Sequence, residues 1–334
     1  MLSIIIHKPI SVILLLFFIG LLSFWVTSLL LRGYKLILLA MILLVVSPFS
    51  TASSLIVIYP EVQKPAYRDM LRQIFDGIDN AHNGEVERIK VPSDRGISSL
   101  ENEIEKKKPD LMIALGRKGY QLARRLSRKY AIVSGMMPIS PGKVSGISLL
   151  PSPDVLFNFL NQVAPRVKRV YVLHNPNTTW LIRIAAEVTK AAGIELMPVK
   201  VESTKEAVNV YQDLFKKIQP QTDAIWLSAD PVTSHDKLIL PMILKEAWQK
   251  KFVVFSSKPG HARRGVLFSV LPNNKMLGKL LVDKAVETSD DMGNPTVDPN
   301  SALMLAVNVR TAGHLGISYT NKQKESFDLI FPSK

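Results

Sequence analysis

From residue 55 onward, short apolar runs alternate with longer segments in which apolar positions recur at helical spacing. The runs are Leu55–Tyr59, Val86–Val91, Leu111–Leu115, Ala131–Gly135, Val144–Leu149, Val170–Leu173, Glu195–Val201, Ala224–Ser228, Phe252–Phe255, Val266–Val270 and Leu303–Val307. Most are continuous in Val, Ile and Leu, the pattern of strands covered on both faces. Between them the spacing predicts helices near 66–80, 97–107, 117–129, 154–164, 178–192, 204–218, 236–250 and 273–288. Asp154 follows Pro153 at one helix start, Gly193 closes another helix, and Pro109 and Pro220 stop two more. Alternation of this kind predicts an α/β protein with doubly wound parallel sheets. Eleven strands exceed one small open sheet, and the pattern restarts near Val170, so two such lobes with a cleft between them are expected.

In open parallel sheets, ligands sit beyond the carboxyl ends of the strands. The loops there hold the candidate ligand-binding residues. In the first lobe they are Tyr59 and Glu61, Gly116 and Arg117, then Met136 and Met137. In the second they are Asn175, Asn177 and Thr178, then Ser228 and Asp230, then Ser256 and Ser257. Arg117 stands out, because a guanidinium at a helix start adds its charge and fork of donors to the exposed N–H groups there, a combination suited to a carboxylate or phosphate. The alternative is that Arg117 pairs with Glu61 or Asp230 and only holds the lobes together. Trp180, in the first turn of its helix, is an aromatic for either the cleft or the core, whereas Trp226 lies inside an apolar run and reads as core.

The head of the chain is different. Residues 1–53 carry three charges, Lys8, Arg32 and Lys35, and no acid. Ile10–Leu31 is 22 residues without a charge, enough to cross a bilayer as a helix. Leu36–Val46 is shorter, and with Arg32 and Lys35 before it and Ser50, Thr51 and Ala52 after it has the three parts of a secretory signal, with cleavage expected after Ala52. Either translation begins near Leu31 and the signal is removed, or both apolar runs are kept as an anchor. Both readings export the domain.

Composition narrows the chemistry. The 334 residues include no cysteine, which removes disulfides, thiol catalysis and thiolate metal sites. No G-x-G-x-x-G, G-x-x-x-x-G-K-[ST] or G-x-S-x-G is present. The six histidines show no metal-binding spacing, and His235-Asp236, the one close His–acid pair, reads as a helix start. No metal, no cofactor and no catalysis are therefore expected. The net charge of +14 is concentrated in places, above all on the helix after Leu115. There Arg117, Gln121, Arg124 and Arg128 share one face, and Lys118, Arg125 and Lys129 another. Such a helix suits nucleic acid or an anionic membrane. Export and the lack of interleaved aromatics argue against nucleic acid, and a solvated face is the preferred reading.

Several segments resemble a known family. Lys108-Pro109-Asp110-Leu111 with Ala114, Pro141-Gly142-Lys143-Val144-Ser145-Gly146-Ile147-Ser148 (similar to P-G-x-N-V-T-G-V-S), Arg169-Val170-Tyr171-Val172-Leu173-His174-Asn175-Pro176, Ala191-Ala192-Gly193-Ile194 and Asp223-Ala224-Ile225-Trp226 come in order. Arg264-Gly265-Val266-Leu267, Leu277-Gly278 and the run Val307–Ile317 follow. Together, over Pro109–Phe331, they resemble the substrate-binding proteins of ABC importers, in the tryptophan/tyrosine-type branch with a type I periplasmic binding fold. The resemblance implies an exported, periplasmic or otherwise extracytoplasmic protein that closes on a small molecule and delivers it to a membrane permease. A sensor or accessory module of the same fold, tethered but uncoupled from transport, is the alternative. It also implies strand exchange across a hinge, with lobes at 54–149 plus 273–300 and 150–272 plus 301–334. Where the family carries Thr or Ser after the third strand, this chain has Gly116-Arg117. Met136-Met137-Pro138 and Ser256-Ser257-Lys258 also depart from the family pattern. An anionic or otherwise different ligand is expected, not a transferred amino-acid specificity.

Overall fold

The computed structural model describes residues 53–91 and 96–333. Both apolar runs of the head and the expected cleavage point lie outside the described residues. No described helix is long and apolar enough to cross a membrane.

Two sheets form. The first contains β1 (Leu55–Pro60), β2 (Val86–Val91), β3 (Leu111–Leu115), β4 (Ala131–Gly135), β5 (Ser145–Pro151) and β11 (Val297–Asn300), in the order β11-β5-β4-β3-β1-β2. The second contains β6 (Arg169–His174), β7 (Glu195–Lys200), β8 (Asp223–Leu227), β9 (Val253–Ser256), β10 (Phe268–Pro272), β12 (Leu303–Asn308) and β13 (Leu329–Phe331), in the order β13-β12-β10-β9-β8-β6-β7. Every residue of β3, β4 and β8 is buried, as central strands covered on both faces must be. The edge strand β7 is mostly exposed.

Helices supply both covers. In the first lobe, α1 (Pro65–Ala81) and α9 (Asn274–Asp290) bury Ile74, Ile78, Leu277 and Leu281 on one face. On the other, α2 (Ile97–Lys107) and α3 (Gly116–Leu126) bury Leu100, Ile104 and Leu122. In the second lobe, α4 (Pro153–Val163) and α5 (Thr179–Ala191) pack Phe157, Leu160 and Ile182 around Trp226 and Phe255. The opposite face is covered by α6 (Thr204–Phe215), α7 (Ile239–Lys250) and the short α8 (His261–Arg264), through Tyr211, Ile243 and Ala262. Two short helices, α10 (Val309–His314) and α11 (Asn321–Glu325), precede β13.

The chain crosses between lobes three times: from β5 to α4, from β10 to α9, and from β11 to β12. Each crossing leaves the carboxyl end of a strand, so both sheets present those ends to the hinge. Backbone bonds tie the crossings together, with Ser152 N donating to Asn300 O and Asn273 N to Ala302 O, both at 2.8 Å.

Three expectations need correction. Thirteen strands form among the described residues, not eleven. β11 reads Val-Asp-Pro-Asn, and a proline is tolerated there because the strand lies at a sheet edge. β13 is only three residues long, also at an edge. The second sheet is not wholly parallel, since β12 runs antiparallel to β10. Only Ser301 and Ala302 separate β11 from β12, so the chain enters the second lobe at its hinge end and can only run away from it. Finally, the helix expected from residue 236 begins at Ile239. Asp236 is thereby outside the helix.

Candidate functional site

The turn from β3 into α3 is set by Gly116, whose φ of +73° suits glycine. A β-carbon there would also lie 3.2 Å from Pro60 Cγ, so the loops after β1 and β3 sit against each other. Arg117 follows, exposed, with no ion pair among the described residues. The pairing with Glu61 or Asp230 weighed from sequence does not form: Glu61 meets Lys90 at 3.5 Å, and Asp230 is occupied within its own lobe. Tyr59 packs edge-on against Phe75, at 5.0 Å between ring centroids. Met136, at φ +61°, packs on the first-lobe core, and the Met137 carbonyl accepts from Leu149 N.

The second-lobe loops are tied by side chains. Asn175 Oδ1 accepts from Asn177 N at 2.9 Å, and Thr178 Oγ1 donates to Asn175 O at 3.2 Å. Asp230, 1% exposed, accepts from Asn175 N, Val232 N, Thr233 N and Thr233 Oγ1. Four donors on one carboxylate fix the loops after β6 and β8 as a unit. Ser228 Oγ reaches Leu173 O, and Ser257 Oγ accepts the indole N–H of the core residue Trp226 at 2.8 Å. The polar side chains of Ser228, Asp230, Ser256 and Ser257 are thus buried and spent inside their own lobe. Asn177 is exposed, and its carbonyl accepts from Ser140 Oγ of the first lobe at 3.1 Å. The structure therefore separates the candidates into surface groups, Glu61, Arg117 and Asn177, and loop-building groups behind them. Beside them, Trp180 Nε1 is buried at the start of α5 with no hydrogen-bond partner.

One cluster was not visible in the sequence. Ser256 Oγ lies 2.8 Å from His261 Nδ1, and His261 Nε2 lies 2.9 Å from Asp236 Oδ1. Lys258 Nζ also reaches Asp236 Oδ1, at 2.6 Å. This corrects the assignment of Asp236 to a helix start and of His235 as its partner. Loop 236–238 and α8 meet only in the fold, so no spacing signal could have found them. Burial holds the His261 imidazole below its ordinary value, outweighing the hydrogen bond to Asp236. Partial burial opposes ionisation of Asp236, but hydrogen bonds from Lys258 and His261 outweigh it and keep the carboxyl below its ordinary value. A neutral imidazole that donates from Nε2 to the carboxylate accepts at Nδ1, so Ser256 donates to it. The order Ser–His–Asp is that of a hydrolytic triad, but the burial is inverted. Ser256 is fully buried and the Asp236 side chain is 51% exposed, so the hydroxyl has no access to a substrate carbonyl. The cluster braces the loop after β9.

Among the described residues no group of three or more His, Asp or Glu could hold a metal ion.

Two doubly wound lobes joined by three crossings, with strand carboxyl ends at the hinge, define the type I periplasmic binding fold. One solved structure agrees: a ligand-free, open substrate-binding protein with adhesive properties from Clostridium difficile is 17% identical, with a TM-score of 0.56, covering 84% of this chain and 100% of its own. An ABC domain in complex with L-Trp from Streptococcus pneumonia is also 17% identical, with the same coverage and a TM-score of 0.49. The profile of the ABC transporter substrate binding protein family matches residues 131–325, and the chain belongs to that family. No curated protein matches the sequence significantly.

Proposed function

We propose that this protein is the exported solute-binding component of an ABC importer. The two lobes close about the three crossings on a small molecule and present it to a membrane permease. One observation carries the reading: the strand carboxyl ends of both lobes meet at the hinge, and there the Arg117 guanidinium and the Trp180 indole N–H have no partner among the described residues. A buried donor without an acceptor is costly unless something supplies one. Arg117 at the start of α3 supports an anionic solute, a carboxylate or a phosphate. Glu61 and Asn177 supply further exposed polar groups, while Asp230 and its donors keep the second-lobe loops preformed, which lowers the ordering cost of binding. Affinity then comes from enclosure between lobes, without bond chemistry.

The family supports a location outside the cytoplasm, and the apolar head acts as signal or anchor. A thermal-shift screen of the purified protein against amino acids, inorganic and organic anions and short peptides tests the reading. An anionic solute that raises the midpoint supports it. No shift with any solute, together with survival of uptake when the gene is deleted, removes the transport role.

A further inference from the structure

The basic helix after Leu115 divides into two stripes with different fates. Arg125 pairs with Glu101 at 3.1 Å and Lys129 with Glu105 at 2.7 Å, both acids lying on α2. Arg124 and Arg128, from the other stripe, are exposed and have no ion pair among the described residues, and neither has Lys143. These three side chains, with Arg125, line a groove of about 500 Å³ between the end of α3, the start of β5 and the turn after α9. Four cations line it and no carboxylate does. Met292, 44% exposed, adds an apolar surface at its rim.

The groove lies at the amino ends of the first-lobe strands, opposite the hinge. The chain enters the domain at that same end. Ser54 N and Oγ bond Asp110 Oδ2 at 2.8 and 2.9 Å, and Ser53 O meets His82 Nε2 at 2.7 Å, which pins the entry beside β3. In sequence, Ser47–Ala52 alone separates Ser53 from the apolar run Leu36–Val46. Six residues span at most about 20 Å.

We propose that this end of the first lobe faces the membrane and that Arg124, Arg128 and Lys143 bind the headgroups of anionic phospholipids. Charge and connectivity agree where the apolar head is kept as an anchor: the unpaired cations lie at the same end of the first lobe as Ser53 and Ser54, where the chain enters it. Each basic residue beside an anionic surface strengthens association about fivefold, within reach of a Debye length. The hinge then points away from the bilayer until the domain tilts toward its permease, so the contact governs orientation and leaves solute specificity alone.

The absence of cysteine makes site-specific probes straightforward. Gly293, at the groove, and Gly313, on the second lobe, both accept a β-carbon, with no atom nearer than 3.6 Å. The full chain, carrying a fluorophore on Gly293→Cys or Gly313→Cys, is reconstituted in nanodiscs of phosphatidylglycerol or phosphatidylcholine doped with a headgroup quencher. The expected result is several-fold stronger quenching at 293 than at 313 in phosphatidylglycerol. That difference falls by at least half in phosphatidylcholine, in high salt, or in the triple variant R124Q/R128Q/K143Q. Equal quenching at both positions, or quenching at 293 that ignores lipid charge and the triple variant, overturns the proposal. Neither outcome bears on solute binding, which thermal shift reads separately.

Discussion

Gly77 and Gly278 face each other where α1 and α9 cross. A β-carbon on Gly77 would lie 3.1 Å from the Gly278 Cα and overlap the Lys275 carbonyl; one on Gly278 would lie 3.0 Å from the Gly77 Cα and overlap the Ile74 carbonyl. The contact fastens a helix that follows the second lobe in sequence onto the core of the first. Backbone atoms block any relief, so Gly278→Leu separates the helices at a cost of about 1–3 kcal/mol or more. Urea denaturation checks this, and a variant as stable as the parent would show that the crossing tolerates a side chain.

Arg117→Ala weakens an anionic solute by about 1.5–3 kcal/mol, the range for a charge-assisted contact. Arg117 is exposed and unpaired among the described residues, so folding stability stays within about 0.5 kcal/mol. Calorimetry with the solute found by thermal shift reads the first effect and a melting curve the second. Unchanged affinity would place the anion elsewhere.

Asp230→Ala leaves four donors without their acceptor and costs about 3 kcal/mol. Because the loop at Asn175 hangs from this carboxylate, solute affinity falls with stability. A loss of stability at full affinity would show that the loop does not position the ligand.

The fold disfavours the protonated form of His261, whose ordinary value is 6.5. As pH falls below that value, the unfolded chain takes up a proton that the native state resists, so stability declines on acidification. In His261→Gln that decline shrinks, since glutamine donates to Asp236 and accepts from Ser256 without titrating. Urea midpoints at about pH 7.5 and 5.5 compare the two slopes. Equal slopes would remove His261 as the source.

The α/β class was legible because burial on both faces leaves continuous apolar runs, and β3, β4 and β8 show it at every position. The short elements β11, β13 and α8 carried no such signal. β11 contains proline, and α8 is four residues long and held by the Asn308 side chain donating to Ala262 O and by the His261 contacts, not by an apolar stripe.

Charge followed the same division. The stripes of α3 and the turn that follows it were already present at helical spacing, but that Arg125 and Lys129 are neutralised and Arg124 and Arg128 are not depends on where α2 packs. Loop residues at strand ends could be named from the alternation alone. Whether Ser257 faces a ligand or the Trp226 indole could not, because local sequence sets which residues reach a loop, while the distances between loops arise only when the sheets and helices pack. The chain thus carries its class and its loops in its own pattern. The Asn175 contact of Asp230, the Lys258 and His261 contacts of Asp236, and the lack of any ion pair for Arg117 among the described residues were decided in three dimensions, by how segments that no spacing relates come together.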